Sequence, residues 1–261
     1  MRNKLVYDLP TRFFHWLFSG LFVSAFVIAK TVDDESVVFS YHSLMGLVLG
    51  FLILLRLVWG VVGTQNARFS NFALNPKDLI AYLKGIKSGE KKKWAGHNPA
   101  SSWAAVVMLL MGVGLVMSGY LMTSGRKPQA LEEVHEICGN IFVLTAVLHV
   151  LGILLHTLRY KDLIGLSMVD GKKSEVSSSG VIASSQPIPG MILLALVAAF
   201  SIQIINGFDV NAQSLSLFGQ KLQIGEVEKK EKSEAGAENE RDNEKNEGEE
   251  HEGKERSEKR D

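Results

Sequence analysis

Four histidines sit in or at the edge of long apolar runs, His15, His42, His135 and His149, and His156 lies near the end of the last run. An ionisable ring in a run that crosses a bilayer is expensive and is kept there for a function. Imidazole offers one nitrogen as a metal ligand and the other as a hydrogen-bond donor. His135 and His149 are 14 residues apart. On a helix they differ by about 40° in direction and stand roughly 21 Å apart along the axis. They share one face, towards its two ends. If each meets a histidine from another helix, two bis-imidazole sites stack through a bundle, which is the donor set for two noncovalent haems.

Depth suggests the pairing. His42 and His135 both begin apolar runs that enter from the same side, so they meet there. His15 begins a run entering from the opposite side, and its partner is His149 or His156. Those two are seven residues apart, only about 20° in direction. Depth favours His156, and a shorter separation between the two irons favours His149; the residues themselves leave both open. A lone histidine in a span often does no more than bond a carbonyl, but four at matching depths and faces speak against that reading. "HEICG" lacks the second histidine of a zinc peptidase. Apart from Glu136, at the edge of the fourth run, the four spans hold no carboxylate to line an ion path. Cys138 is the single cysteine and no C-x-x-C-H occurs, which excludes an intrachain disulfide and the usual covalent haem attachment. Cys138 reads as an inert thiol.

The chain that must position these residues has 261 residues, 46% of them hydrophobic, and a formal net charge of zero. Its apolar residues concentrate in runs at 13–29, 41–63, 102–123 and 137–158, with a weaker fifth at 188–208. Each is long enough for roughly 30 Å of hydrocarbon. The first run is preceded by basic residues and contains "VSA" at 23–25, as a cleaved leader would, but it is longer and more aromatic than a leader and carries His15. Segments 1–12, 64–100 and 159–187 hold most of the lysines and arginines of the loops, which places them in the cytoplasm. In "PKDLIAYLKGIKSG", Leu79, Ile80, Leu83 and Ile86 line one face of an expected surface helix.

The expected organisation is a transmembrane domain at 1–165, a linker at 166–187, a fifth helix at 188–208 and a polar, unfolded tail at 209–261. From Gly225 onward the chain has 15 acidic and 9 basic residues, too little apolar area to fold, and it lies outside the cell if the fifth helix spans. Arg56, 14 residues after His42, either snorkels to the inner surface or pairs with a carboxylate of the inner haem. His97, beside Asn98 and Pro99, either ends a loop or approaches an acidic group or quinone. Gly46 and Gly139 make room for a flat ring or serve ordinary helix packing. His251 is a solvated tail residue.

The stretches "DLPTRFFHW", "YHSLMGLVLGFLILLRLVWG", "GHNPASSW" and "HEICGNIFVLTAVLHVLGILLH" resemble the bacterial cytochrome b561 family, which includes the cytochrome b subunit of nickel-iron hydrogenases. The resemblance runs from about Tyr7 to Gly165. It implies an all-α, four-helix bundle in the bacterial inner membrane, with two noncovalent haems b held by His15, His42, His135 and His149, and so favours His149 over His156. It further implies electron exchange with membrane quinone and with a periplasmic c-type cytochrome or a hydrogenase-like dehydrogenase. Surrounding lipid is expected, a homodimer is compatible with it, and nucleic acid is not expected. The haems need no nucleophile or proton-transfer residue of their own. Two rival readings are a haem-bearing anchor for a partner enzyme and a haem-free, histidine-dependent transporter or sensor. The fifth helix and tail fall outside the resemblance.

Overall fold

The computed structural model describes residues 4–88, 96–124, 129–174 and 180–225. Lys91, Lys92, Lys93, Arg126, Lys127, His251 and the acidic stretch after Gly225 lie outside the described residues. In chain order the helices are α1 (Leu9–Thr31), α2 (Ser40–Val62), α3 (Pro76–Ser88), α4 (Pro99–Thr123), α5 (Gln129–Tyr160), α6 (Ser167–Asp170) and α7 (Pro187–Gly207). All but α3 and α6 are long and apolar enough to cross a membrane, and each falls on one of the five expected runs.

Capping sets where the spans begin. Asp8 accepts from the Thr11 amide at 2.9 Å, with Pro10 in the first turn of α1. Asn98 does the same for α4, accepting from the Ser101 amide at 2.8 Å ahead of Pro99. Each satisfies an amide that the helix leaves unpaired. α5 has 32 residues, about 48 Å, so its ends overrun the hydrocarbon. In its last turn Arg159 donates to the carbonyl of Ile86 and ties α5 to α3. On α3, Leu79 and Ile86 are partly buried while Ile80 and Leu83 remain exposed, the apolar strip expected of a helix lying on the membrane surface.

α2 and α7 share the best-buried core, with Leu44, Val48 and Leu52 against Leu193, Val197 and Ile204, flanked by Phe13, Leu17 and Leu21 of α1. Gly190 lets α7 close on α1, since a Cβ there would stand 2.9 Å from that of Leu9. α4 runs antiparallel beside α5 and packs on α2, where a Cβ on Gly112 would meet Ile53 at 2.9 Å. Close approach through small residues is how helices associate without a hydrophobic driving force from lipid. α1, α2, α4 and α5 thus form the expected four-helix bundle, with α7 against α1 and α2.

At the end where the chain begins, β1 (Lys4–Leu5) pairs antiparallel with β2 (Lys172–Lys173). The amides of Val6 and Tyr7 donate to the Gly171 carbonyl, Ile182 N–H to Leu5, and Leu9 N–H to Ser185. The described part of the expected linker is therefore bound to the N-terminal segment. Asp8, fully buried, also accepts from Trp59 Nε1 at 3.2 Å and from the Thr64 hydroxyl.

At the opposite end, β3 (Phe208–Asp209), β4 (Ser214–Leu217) and β5 (Gln220–Gln223) form an antiparallel meander. This corrects the tail expected from 209 onward: residues 208–225 are folded. Leu215 and Leu222 pair across β4 and β5 and are buried against the α2–α7 core. Alternating polar and leucine positions in "SLSLFGQKLQ" supply one apolar face, and Gly219 takes the left-handed turn at φ +79°. The strong acidity of the residues after Gly225 hides that short alternation in any compositional reading.

Asp8→Ala removes a helix cap and leaves Trp59 and Thr64 without their acceptor. It is expected to lower stability by about 3 kcal/mol, with Asp8→Asn losing less because it still caps. Reversible unfolding in detergent micelles measures both, and an unchanged Asp8→Ala midpoint would contradict this account of the N-terminal joint.

Candidate functional site

His42 stands in the first turn of α2 and His135 near the start of α5. Nδ1 of His42 donates to the Ala25 carbonyl of α1 at 2.9 Å. A carbonyl only accepts, so this nitrogen carries the proton. Nδ1 of His135 lies 2.9 Å from the Ser118 hydroxyl, which itself donates to the Gly114 carbonyl at 2.7 Å. Ser118 is then an acceptor for His135. Both rings therefore present Nε2 as a bare lone pair, the state in which imidazole ligates a metal. Their centroids are 6.0 Å apart at 70°. Two imidazole rings at that separation would suit one metal centre held between them. One turn beyond His42, a Cβ on Gly46 would meet nothing within 4 Å; one turn beyond His135, Gly139 would meet only Leu115, at 3.8 Å. A flat macrocycle has room beside both helices.

At the other level, His15 of α1 and His149 of α5 lie within electrostatic reach of each other. Nδ1 of His15 is buried without a hydrogen-bond partner. His156 is engaged elsewhere: its Nε2 is 3.2 Å from Asp162 and its ring stacks on Tyr160 at 4.3 Å. Arg56 does not snorkel. It is 7% exposed, donates through Nη2 to the Ala67 carbonyl at 3.0 Å and lies over the Phe69 ring at 4.8 Å. Its Nη1, like Arg12 Nε and Thr11 Oγ1, is buried without a partner. Unused cationic N–H groups in a dry setting fit an anionic acceptor such as a carboxylate.

Phe142 separates the two levels. It is seven residues from His135 and seven from His149, and it is the one buried residue of α5. Phe22 of α1 packs against it, tilted, at 4.1 Å, and Phe18 at 5.8 Å. The outcome is a ring pair, His42 and His135, and at the other level His15 and His149 within electrostatic reach of each other, with Phe142 midway between the two histidines of α5. Among the described residues no group of three or more His, Cys, Asp or Glu gathers to hold a bare metal ion. Paired imidazoles suit an iron whose other four ligands come from a macrocycle. Sequence reading passed over Ser118, Asp8 and Phe142. Ser118 carried a usable signal, a hydroxyl in an apolar run at the depth of His135; the wedge was detectable only through the equal spacing of Phe142.

A family model described as prokaryotic cytochrome b561 matches residues 6–171. The match contains α1 to α5 with His15, His42, His135, His149 and His156, and it ends before α7 and the β3–β5 meander. No curated protein and no solved structure matches the chain.

Near the inner pair, His97 in the loop before α4 packs edge-on to Tyr7 at 5.8 Å and against Phe72 at 4.8 Å. Lys173 donates to the Gly96 carbonyl beside it at 2.9 Å and to the Tyr7 hydroxyl at 3.2 Å. Loss of hydration, then the charges of Lys173 and Arg56 and the nearby His149, hold the His97 imidazole down at about 3. Unfolded, it titrates near ~6.5. Between these values the unfolded chain binds the extra proton, so this contribution to stability is complete above pH ~6.5 and is lost as pH falls towards 3, by up to about 1.4 kcal/mol per pH unit. His97→Gln is expected to flatten the acid limb of an unfolding-midpoint against pH curve, and curves that stay parallel to wild type would contradict a neutral His97.

Proposed function

The chain belongs to the prokaryotic cytochrome b561 family, a multi-pass membrane b-type cytochrome of electron transfer, and on that premise we propose that it carries two haems b and passes electrons between membrane quinone and a redox partner. The observation that carries this reading is the pair of imidazoles at each end of the bundle, each completed by α5. His42 and His135 would hold one haem, and His15 and His149 the other. The engagement of His156 with Asp162 supports His149 as the inner ligand.

Haem supplies one-electron chemistry when bound; the chain supplies position and environment. Ala25 and Ser118 hold the outer imidazoles in the ligating tautomer. The spare N–H groups of Arg56 and Arg12 would receive the carboxylates of an inner haem, and their positive charge would favour its reduced state. The Phe22–Phe142 wedge keeps the intervening space apolar and dry.

The basic loops favour a cytoplasmic His15 end and a periplasmic His42 end. At the His42 end Asp33, Asp34, Glu35, Glu132, Glu133 and Glu136 are exposed. This charge favours a cationic partner, as a periplasmic c-type cytochrome would be, over a neutral one. A hydrogenase-like dehydrogenase is the other partner class. Quinol-dependent haem reduction in the isolated protein separates a carrier from a haem-bearing anchor.

Purified protein is expected to give two haems b per chain by pyridine haemochrome spectrum. His149→Ala should fall to one while His156→Ala keeps two. Protein from haem-replete cells without a haem band would overturn the reading, and loss of haem in His156→Ala alone would move the inner ligand.

A further inference from the structure

The part of the chain beyond the family match has a distinct relation to the outer pair. Residues 208–225 lie across the first turn of α2, where His42 stands. The Ser43 hydroxyl donates to the Ile224 carbonyl at 3.1 Å, and Ser40, fully buried, reaches Gln213 Oε1 at 3.5 Å. Tyr41 packs edge-on to Phe208 at 6.1 Å. The residues on both sides of His42 are therefore gripped by the meander. Farther along, the Tyr120 hydroxyl of α4 donates to Gln220 at 3.1 Å. Tyr120 adjoins Gly119, whose Cβ would stand 3.4 Å from the His135 ring. The meander thus bridges the two helices that position the outer imidazoles, α2 directly and α5 through α4.

Its own geometry is tightly held. Gln213 takes φ +43°, which is uncommon for a residue with a side chain. Its carbonyl accepts from the Ile224 and Gly225 amides at 2.9 and 3.2 Å, and Gln223 Nε2 donates to the Gly225 carbonyl at 2.8 Å. A Cβ on Gly225 would collide with Gln213 Oε1, and one on Gly207 with the Ser216 carbonyl. Strain held by so many contacts points to a constrained task.

We propose that the β3–β5 meander is a roof that positions His42 and keeps water from the His42–His135 site, with Ser43 and Gln213 as its positioning residues. This rests on the outer-ligand reading above. Orientation is what the roof sets, because the g-anisotropy of a low-spin ferric iron follows the angle between its two imidazole planes. Dryness is the second effect: water stabilises the more highly charged ferric state and so lowers the potential.

The test uses full-length protein reconstituted in vesicles, with redox titration followed by electron paramagnetic resonance. His42→Ala first identifies the outer signal as the one that disappears; if both signals survive it, the ligand reading falls and not the roof alone. Leu222→Asp opens the meander by charging its buried face, and Ser43→Ala is the mild variant should that protein fail to accumulate. The expected result is a changed g-anisotropy and a lower midpoint for the outer signal only, with the inner signal at its wild-type position, and restoration in Ser43→Thr. Outer signals unchanged in both variants, or both haems shifted alike, would overturn the proposal.

Discussion

One buried carboxylate joins the parts of the structure that would otherwise be independent. Asp8 caps α1, accepts from Trp59 of α2 and from Thr64 in the loop beyond it, and lies within electrostatic reach of Arg56. A charge withdrawn from water at the edge of the bilayer is tolerable only when every lone pair is used. Meeting that requirement fixes the rotation and depth of α1 against α2. The position of His15, seven residues into the same helix, follows from it.

The histidines answer the same demand differently at the two ends. At the outer end each ring spends one nitrogen on a protein acceptor and presents the other. At the inner end the polar surroundings are richer but less satisfied, with Arg56, Arg12 and His15 each holding an unpartnered nitrogen. The outer rings offer free ring nitrogens and the inner groups offer cationic N–H donors; a haem, as proposed above, would use both, through its iron and through the carboxylates at its rim.

Much of this was legible in the sequence because it depends on periodicity. The 14-residue spacing in α5 puts His135 and His149 on one face by helix geometry alone, and His15 and His42 open runs that enter from opposite sides. Arg56 was ambiguous because sequence shows depth but not whether a neighbouring loop covers the side chain; Ala67 and Phe69 do cover it. The fold of 208–225 was missed for a reason of scale. Four-residue strands bury two leucines each at most, and their signal disappears beside the neighbouring charge run. Contacts such as Ala25 carbonyl to His42 carry no residue-type signal, since any residue supplies a carbonyl.

Both imidazole pairs draw on α5, while the roof is made from residues 208–225, the last described part of the chain. During synthesis α1 and α2 therefore enter the bilayer each holding half a site, and neither pair exists until α5 docks. At that stage α7 and the meander have not yet emerged. The order of translation, at about 5–20 residues per second, thus leaves an interval of seconds in which the outer pair is assembled and still uncovered. The same polarity makes the outer pair the last to be covered.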